Sequence, residues 1–135
     1  MDFGSGVSFV DPGTAEEVIS TGGPRASAVL VFSIRDSTGR KSFFEAVRAG
    51  LPLDPPLVSS RSWDALADSV WEGIYKLETD SVIIVWPDAT RFKRISSEEF
   101  HTAVSVLSDI SASLADSDET DGRPRNVAVL VGIGE

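Results

Sequence analysis

A chain of 135 residues with 41% hydrophobic content and no cysteine is the size of one domain, and its core has to hold without disulfides or thiolate metal sites. The single histidine, His101, excludes a multi-histidine metal site, and a formal net charge of -9 disfavours nucleic acid and anionic membranes as direct partners while favouring a basic protein. The N-terminal residues show neither a basic leader nor a long apolar stretch, so the sequence predicts a cytoplasmic protein without a membrane span. An acidic balance also serves solubility alone.

The first 25 residues are rich in Gly, Ser, Thr and Pro and read as an N-terminal extension (1-25) draped over a domain spanning 26-135. Within it Val7 and Phe9 form a short alternating fragment. Residues 14-19 suit a helical turn or two, with Thr14 and Glu17 at capping-box spacing, before Gly22-Gly23-Pro24 breaks regular structure. Residues 26-34 carry Ala28-Val29-Leu30-Val31-Phe32 without a charge, which predicts a strand buried on both faces. Residues 35-40 are turn chemistry, and residues 41-49 place Phe43, Phe44 and Val47 at helical spacing before Gly50 stops the helix. Residues 51-60 hold Pro52, Pro55 and Pro56, a loop of restricted freedom.

The next segment is the most informative. At about 100° per residue, Trp63, Leu66, Ala67, Val70 and Ile74 share one helical side, while Asp64, Asp68, Trp71, Glu72 and Tyr75 share another. The first side predicts core and the second a contact surface, because exposed aromatics beside charges are typical of interface centres. Two plainer readings compete: Asp64 and Asp68 form only a solvated face, and Trp71 packs under the N-terminal extension. Ser62 is the expected N-cap, and Asp64 lies where the helix dipole favours negative charge.

Residues 81-86 predict a second buried strand ended by Pro87, and Arg91, Lys93 and Arg94 follow in a solvated basic loop. Ser96, with Glu99 at capping-box spacing, opens a long helix whose inner face is Phe100, Ala103, Val104, Leu107, Ile110, Ser111 and Leu114. His101 and Asp109 fall outside that face. Residues 116-122 form an acidic exposed loop, and 126-131 a final uncharged strand. Strands separated by helical connections predict an α/β fold: a small three-stranded parallel sheet packed with helices, joined by right-handed crossovers.

Catalytic chemistry is missing. His101 reads as a surface residue, and Asp64 with Asp68 lacks the third convergent group that acid–base work or a hard cation would need. Gly132-Ile133-Gly134 has no following helix to receive a pyrophosphate. No catalytic, cofactor-binding or metal-binding set is therefore expected, and a carboxylate-dependent hydrolase is the weakest of the functional readings.

Leu51-Pro52, a loop, and then Trp63-Asp64-Ala65-Leu66 with Asp68 four residues after Asp64 resembles the barstar family of intracellular ribonuclease inhibitors. The order of elements agrees from about residue 26 to 131. The resemblance implies a barstar-like fold and a monomeric inhibitor of the immunity or antitoxin type, not an enzyme. The loop and helix would enter the active-site cleft of a basic ribonuclease, with Asp64 and Asp68 where RNA phosphates lie and Asp109 as a further acidic contact. Around them the expected partner-binding set takes in Trp71, Glu72 and Tyr75 from the helix and Val58, Ser60 and Ser62 from the loop. Residues 53-62 depart from the family, whose members carry an aromatic residue, a Gly and an Asn there. Ala67 stands where some members have tryptophan, and Arg61 adds a positive charge. These departures concern the target more than the fold, and they sustain the competing expectation of a barstar-fold interaction module with a non-nuclease partner.

Overall fold

The computed structural model describes residues 4–23, 27–34 and 39–134; Pro24, Ala26 and the 35–38 part of the expected turn lie outside the described residues. Strands β1 (Gly6–Val10), β2 (Ala28–Val31), β3 (Ser81–Trp86) and β4 (Asn126–Gly132) alternate with helices α1 (Pro12–Thr21), α2 (Arg40–Gly50), α3 (Trp63–Tyr75), α4 (Thr90–Ile95) and α5 (Ser97–Leu114). The sheet is parallel and four-stranded, ordered β1-β4-β3-β2. The expected count of three is corrected by β1, which pairs with β4 from Gly6↔Ala128 to Val10↔Gly132. β1 is hard to read because Gly6 and Ser8 interrupt its apolar residues: Ser8 and Phe9 are exposed and the other three residues half-buried, so it lacks the continuous apolar run that β2 keeps at the opposite edge.

Connection handedness decides which face each helix covers. The step from β1 to β2 crosses the whole sheet in one sense, while the steps from β2 to β3 to β4 return in the other. Right-handed crossovers then place α1 on one face and the later helices on the opposite face. The core divides accordingly. Ile83, Val85, Ala128 and Leu130 meet Ala15 and Val18 of α1. Val82, Ile84, Trp86, Val127, Val129 and Val131 meet α2, α3 and α5 through Phe43, Phe44, Leu66, Val70, Ile74, Leu107 and Leu114. The side-chain alternation of a strand makes this division. At its centre the buried Trp86 ring lies 5.2 Å from Phe32, 5.4 Å from Phe43, 5.3 Å from Phe92 and 5.7 Å from Phe100.

Strand β2, expected to be buried on both faces, is half-buried throughout because it takes an edge of the sheet. Three further local expectations change. Helix α1 starts before Thr14, because Asp11 is its N-cap: Asp11 Oδ1 accepts from Thr14 N–H at 3.0 Å and Oδ2 from Thr14 Oγ1 at 2.7 Å, with Pro12 opening the helix. Ser96 does precede α5, yet its side chain makes no cap bond; its N–H already closes α4 on Phe92 O. Arg91, Lys93 and Arg94 sit on α4, a short helix anchored by buried Phe92, not in a loop. Gly132 is explained by a close approach, since a Cβ there would overlap the Pro87 carbonyl oxygen.

Candidate partner-binding site

Helix α3 begins as its sequence dictates: Ser62 Oγ accepts from Ala65 N–H at 3.1 Å and Asp64 occupies the first turn. Leu66, Val70 and Ile74 are fully buried. Trp63, expected in line with them, is only half-buried; it lies over the end of the core, 5.0 Å from Phe44 and 5.5 Å from Phe43. Ala67 is likewise half-buried.

Asp64, Asp68 and Glu72 recur every fourth residue and are all exposed, which makes one carboxylate row along the helix. Among the described residues the ion pairs are Lys76 with Asp54 and Arg125 with Asp80, so no cation neutralises Asp64 or Asp68. Glu72 faces Lys76 one turn on and helps to raise that ammonium, after the larger effects of the Asp54 hydrogen bond and charge.

Trp71 and Tyr75 form a different row. Both are half-buried and their rings stack at 4.9 Å. Trp71 Nε1 donates to Ser113 Oγ of α5 at 2.9 Å, and Tyr75 Oη donates to Thr120 O at 2.7 Å. Trp71 thus packs toward α5. Behind Tyr75 the guanidinium of Arg125, only 3% exposed, lies 5.3 Å from the ring and donates to Tyr75 O at 3.1 Å, capping a terminal helix carbonyl. Arg123 sits 5.5 Å from the same ring. The helical wheel places these aromatics beside the carboxylates correctly but cannot show that α5 and the 116-122 loop reach them.

Helices α3 and α5 both lead into parallel strands, so they run in the same direction, with Ser113 level with Trp71 through their hydrogen bond. Asp109 is exposed on α5, one turn before Ser113.

The loop before α3 is fastened along its length. Asp54 N–H donates to Ser69 O at 3.0 Å, and Ser69 Oγ donates to Pro55 O at 2.7 Å. Arg48 of α2 donates through Nε to Leu57 O at 2.7 Å and through Nη2 to Ser60 Oγ at 2.9 Å. Arg61 N–H reaches Ser59 Oγ at 3.1 Å. Leu57 turns into the core, while Val58 is 94% exposed. At Gly73 a Cβ would overlap the Pro52 carbonyl oxygen, so this glycine lets the loop lie directly on α3. Between loop and helix runs a groove of about 320 Å³ lined by Pro55, Pro56, Leu57, Val58, Ser59, Ala65, Asp68 and Ser69. Val58 and Asp68 thus line one groove, and Ser60, Ser62 and Asp64 are not among the residues that line it. Arg48, Ser69 and Gly73 escaped the sequence reading: Arg48 precedes Leu57 by nine residues, and no local periodicity links them.

Among the described residues no cluster of His, Asp and Glu could hold a metal ion, and no helix is long and apolar enough to cross a membrane. Neither the curated proteins nor the solved structures returned a match. The family model described as Barstar (barnase inhibitor) matches residues 27–129, most of the chain, including both the fastened loop and the carboxylate row. The chain therefore belongs to the barstar family, whose members are inhibitors of a nuclease and not enzymes.

Proposed function

We propose that this protein inhibits a basic ribonuclease by seating α3 and the preceding loop in the enzyme's phosphate-binding cleft, as an immunity or antitoxin protein in the cytoplasm. The observation that carries the reading is the exposed row Asp64, Asp68 and Glu72, whose first two carboxylates have no ion-pair partner among the described residues. A row of fixed negative charge spaced by helical turns can occupy places otherwise taken by RNA phosphates. Val58, Ser60 and Ser62 would border this row on the loop side, and Asp109 and the solvent edges of Trp71 and Tyr75 on the α5 side. The inhibitor performs no reaction and acts by occlusion.

The acidic surface would also steer a basic enzyme into contact and raise the association rate, a behaviour that barnase and its inhibitor themselves illustrate. The test is titration of the purified protein into barnase and other small basic microbial ribonucleases, with RNA cleavage as the readout. Stoichiometric loss of cleavage, weakened in Asp68→Ala, is expected. Undiminished cleavage by every enzyme would overturn the proposal and favour a non-nuclease partner.

A further inference from the structure

We infer that residues 55–60 form a prebuilt apolar anchor whose exposed Val58 inserts into an apolar recess beside the ribonuclease's basic cleft, held in place by Arg48 as a positioning residue. This rests on the inhibitor reading and adds a partner chemistry that the carboxylates alone do not specify.

The argument starts from an imbalance. Val58 is 94% exposed, with Pro55, Pro56 and Ser59 exposed around it, although its neighbours on both sides are held by hydrogen bonds, Leu57 through its carbonyl and Ser60 through its hydroxyl. Arg48 reaches Leu57 O on one side of Val58 and Ser60 Oγ on the other. A planar guanidinium brings both donors in a fixed relation, which a lysine cannot reproduce. Ser69 and buried Leu57 secure the rest. Such fastening does nothing to bury Val58; it displays a branched side chain with few rotamers. A loop ordered before contact loses little conformational freedom on binding, so more of the contact energy appears as affinity.

Charge identifies the occupant. Asp68 lines the same groove as Pro55, Pro56 and Val58, and Asp64 and Glu72 continue its row. A partner that meets this surface must be basic where it faces α3 and apolar a few ångströms away where it faces the loop. A basic ribonuclease with an apolar recess on the rim of its cleft has that pattern. An acidic or wholly polar rim would leave Val58 against unpaired polar groups.

Inhibition of barnase and a set of small basic microbial ribonucleases by wild type, Asp68→Ala, Val58→Ala, Val58→Asp, Arg48→Ala, Arg48→Lys and the Arg48→Ala/Val58→Ala double variant tests this, with chemical denaturation of each protein alongside. Val58→Asp should keep the wild-type denaturation midpoint and inhibit about 30-fold more weakly, the change expected of a hot spot. Arg48→Ala should weaken inhibition about tenfold, mainly through slower association, and Arg48→Lys should restore only part of it. In the Arg48→Ala background Val58→Ala should cost clearly less than alone, because an unfastened loop no longer presents the side chain. If wild type inhibits no enzyme, the inhibitor reading falls and this inference with it. If wild type inhibits and Asp68→Ala inhibits more weakly, while Val58→Asp inhibits like wild type, the reading survives and the anchor is overturned. Strict additivity of the two substitutions would overturn the positioning role of Arg48.

Discussion

Along α3, the first turns leave Asp64 and Asp68 in solvent without an ion pair among the described residues, whereas the last turn ties Trp71, Tyr75 and Lys76 to Ser113, Thr120 and Asp54. The same helix thus has an end that satisfies its polar groups internally and an end that leaves them for something else. The difference separates two kinds of acidic residue. Asp54 and Asp80 each have an ion-pair partner, and Asp64 and Asp68 have none among the described residues. A count of carboxylates would treat them alike.

The largest expected effect falls at the fastened end. Arg125→Ala removes a buried side chain that caps Tyr75 O and underlies its ring, so it should cost about 3 kcal/mol of stability by chemical denaturation. Binding by the folded fraction should persist, and its loss would show that the two ends are coupled. At the free end, Asp68→Ala should weaken ribonuclease binding by about 2 kcal/mol, mostly through faster dissociation, with stability nearly unchanged. A weakening of only a few tenths would move the recognition surface away from α3. Trp71→Phe tests the boundary between them. Losing the bond to Ser113 should cost about 1 kcal/mol of stability, and an affinity loss larger than that of Asp68→Ala would assign Trp71 to recognition instead.

Two smaller effects sharpen the contrast. Association should slow as the Debye length contracts from about 30 Å at 0.01 M to about 10 Å at 0.1 M salt. Asn at both 64 and 68 should flatten that dependence in stopped-flow traces. An unchanged slope would shift the steering charge to Asp116, Asp118, Glu119 and Asp121. Lys76 is held above its ordinary 10.5 by the hydrogen bond and charge of Asp54. For a raised group the stabilisation is complete below the ordinary value and is lost as pH rises through the elevated one. Alkaline titration should therefore loosen the Asp54 end of the loop, and Lys76→Met should abolish that transition.

Much of this architecture is legible in the sequence because strands buried on both faces advertise themselves. Residues 81-86 and 126-131 are uncharged runs, and the four-turn stripe from Phe100 to Leu114 matches the buried face of α5 except at Val104, which is half-buried. β1 escaped because Gly6 and Ser8 break its apolar run, and α4 because a helix of 6 residues with one buried side chain has no periodicity to detect. At the site, the carboxylate row and the Ser62 cap could be read from spacing. Trp63 and Trp71 show where spacing stops: it gives the direction of a side chain but not what another element brings to meet it. The brace from Arg48 is less legible still, since it joins two loop positions to a helix face through tertiary structure alone.

The opposed placement of α1 has a practical corollary. Glu16 and Glu17 are exposed on a helix that covers the face of the sheet away from α3, so the sheet itself stands between them and the recognition surface. A dye or surface linker attached at Cys introduced in place of either residue, in a chain with no other thiol, would be labelled at one place only. It would leave Val58 and the carboxylate row facing solvent, and an immobilised sample would present one orientation to an arriving enzyme.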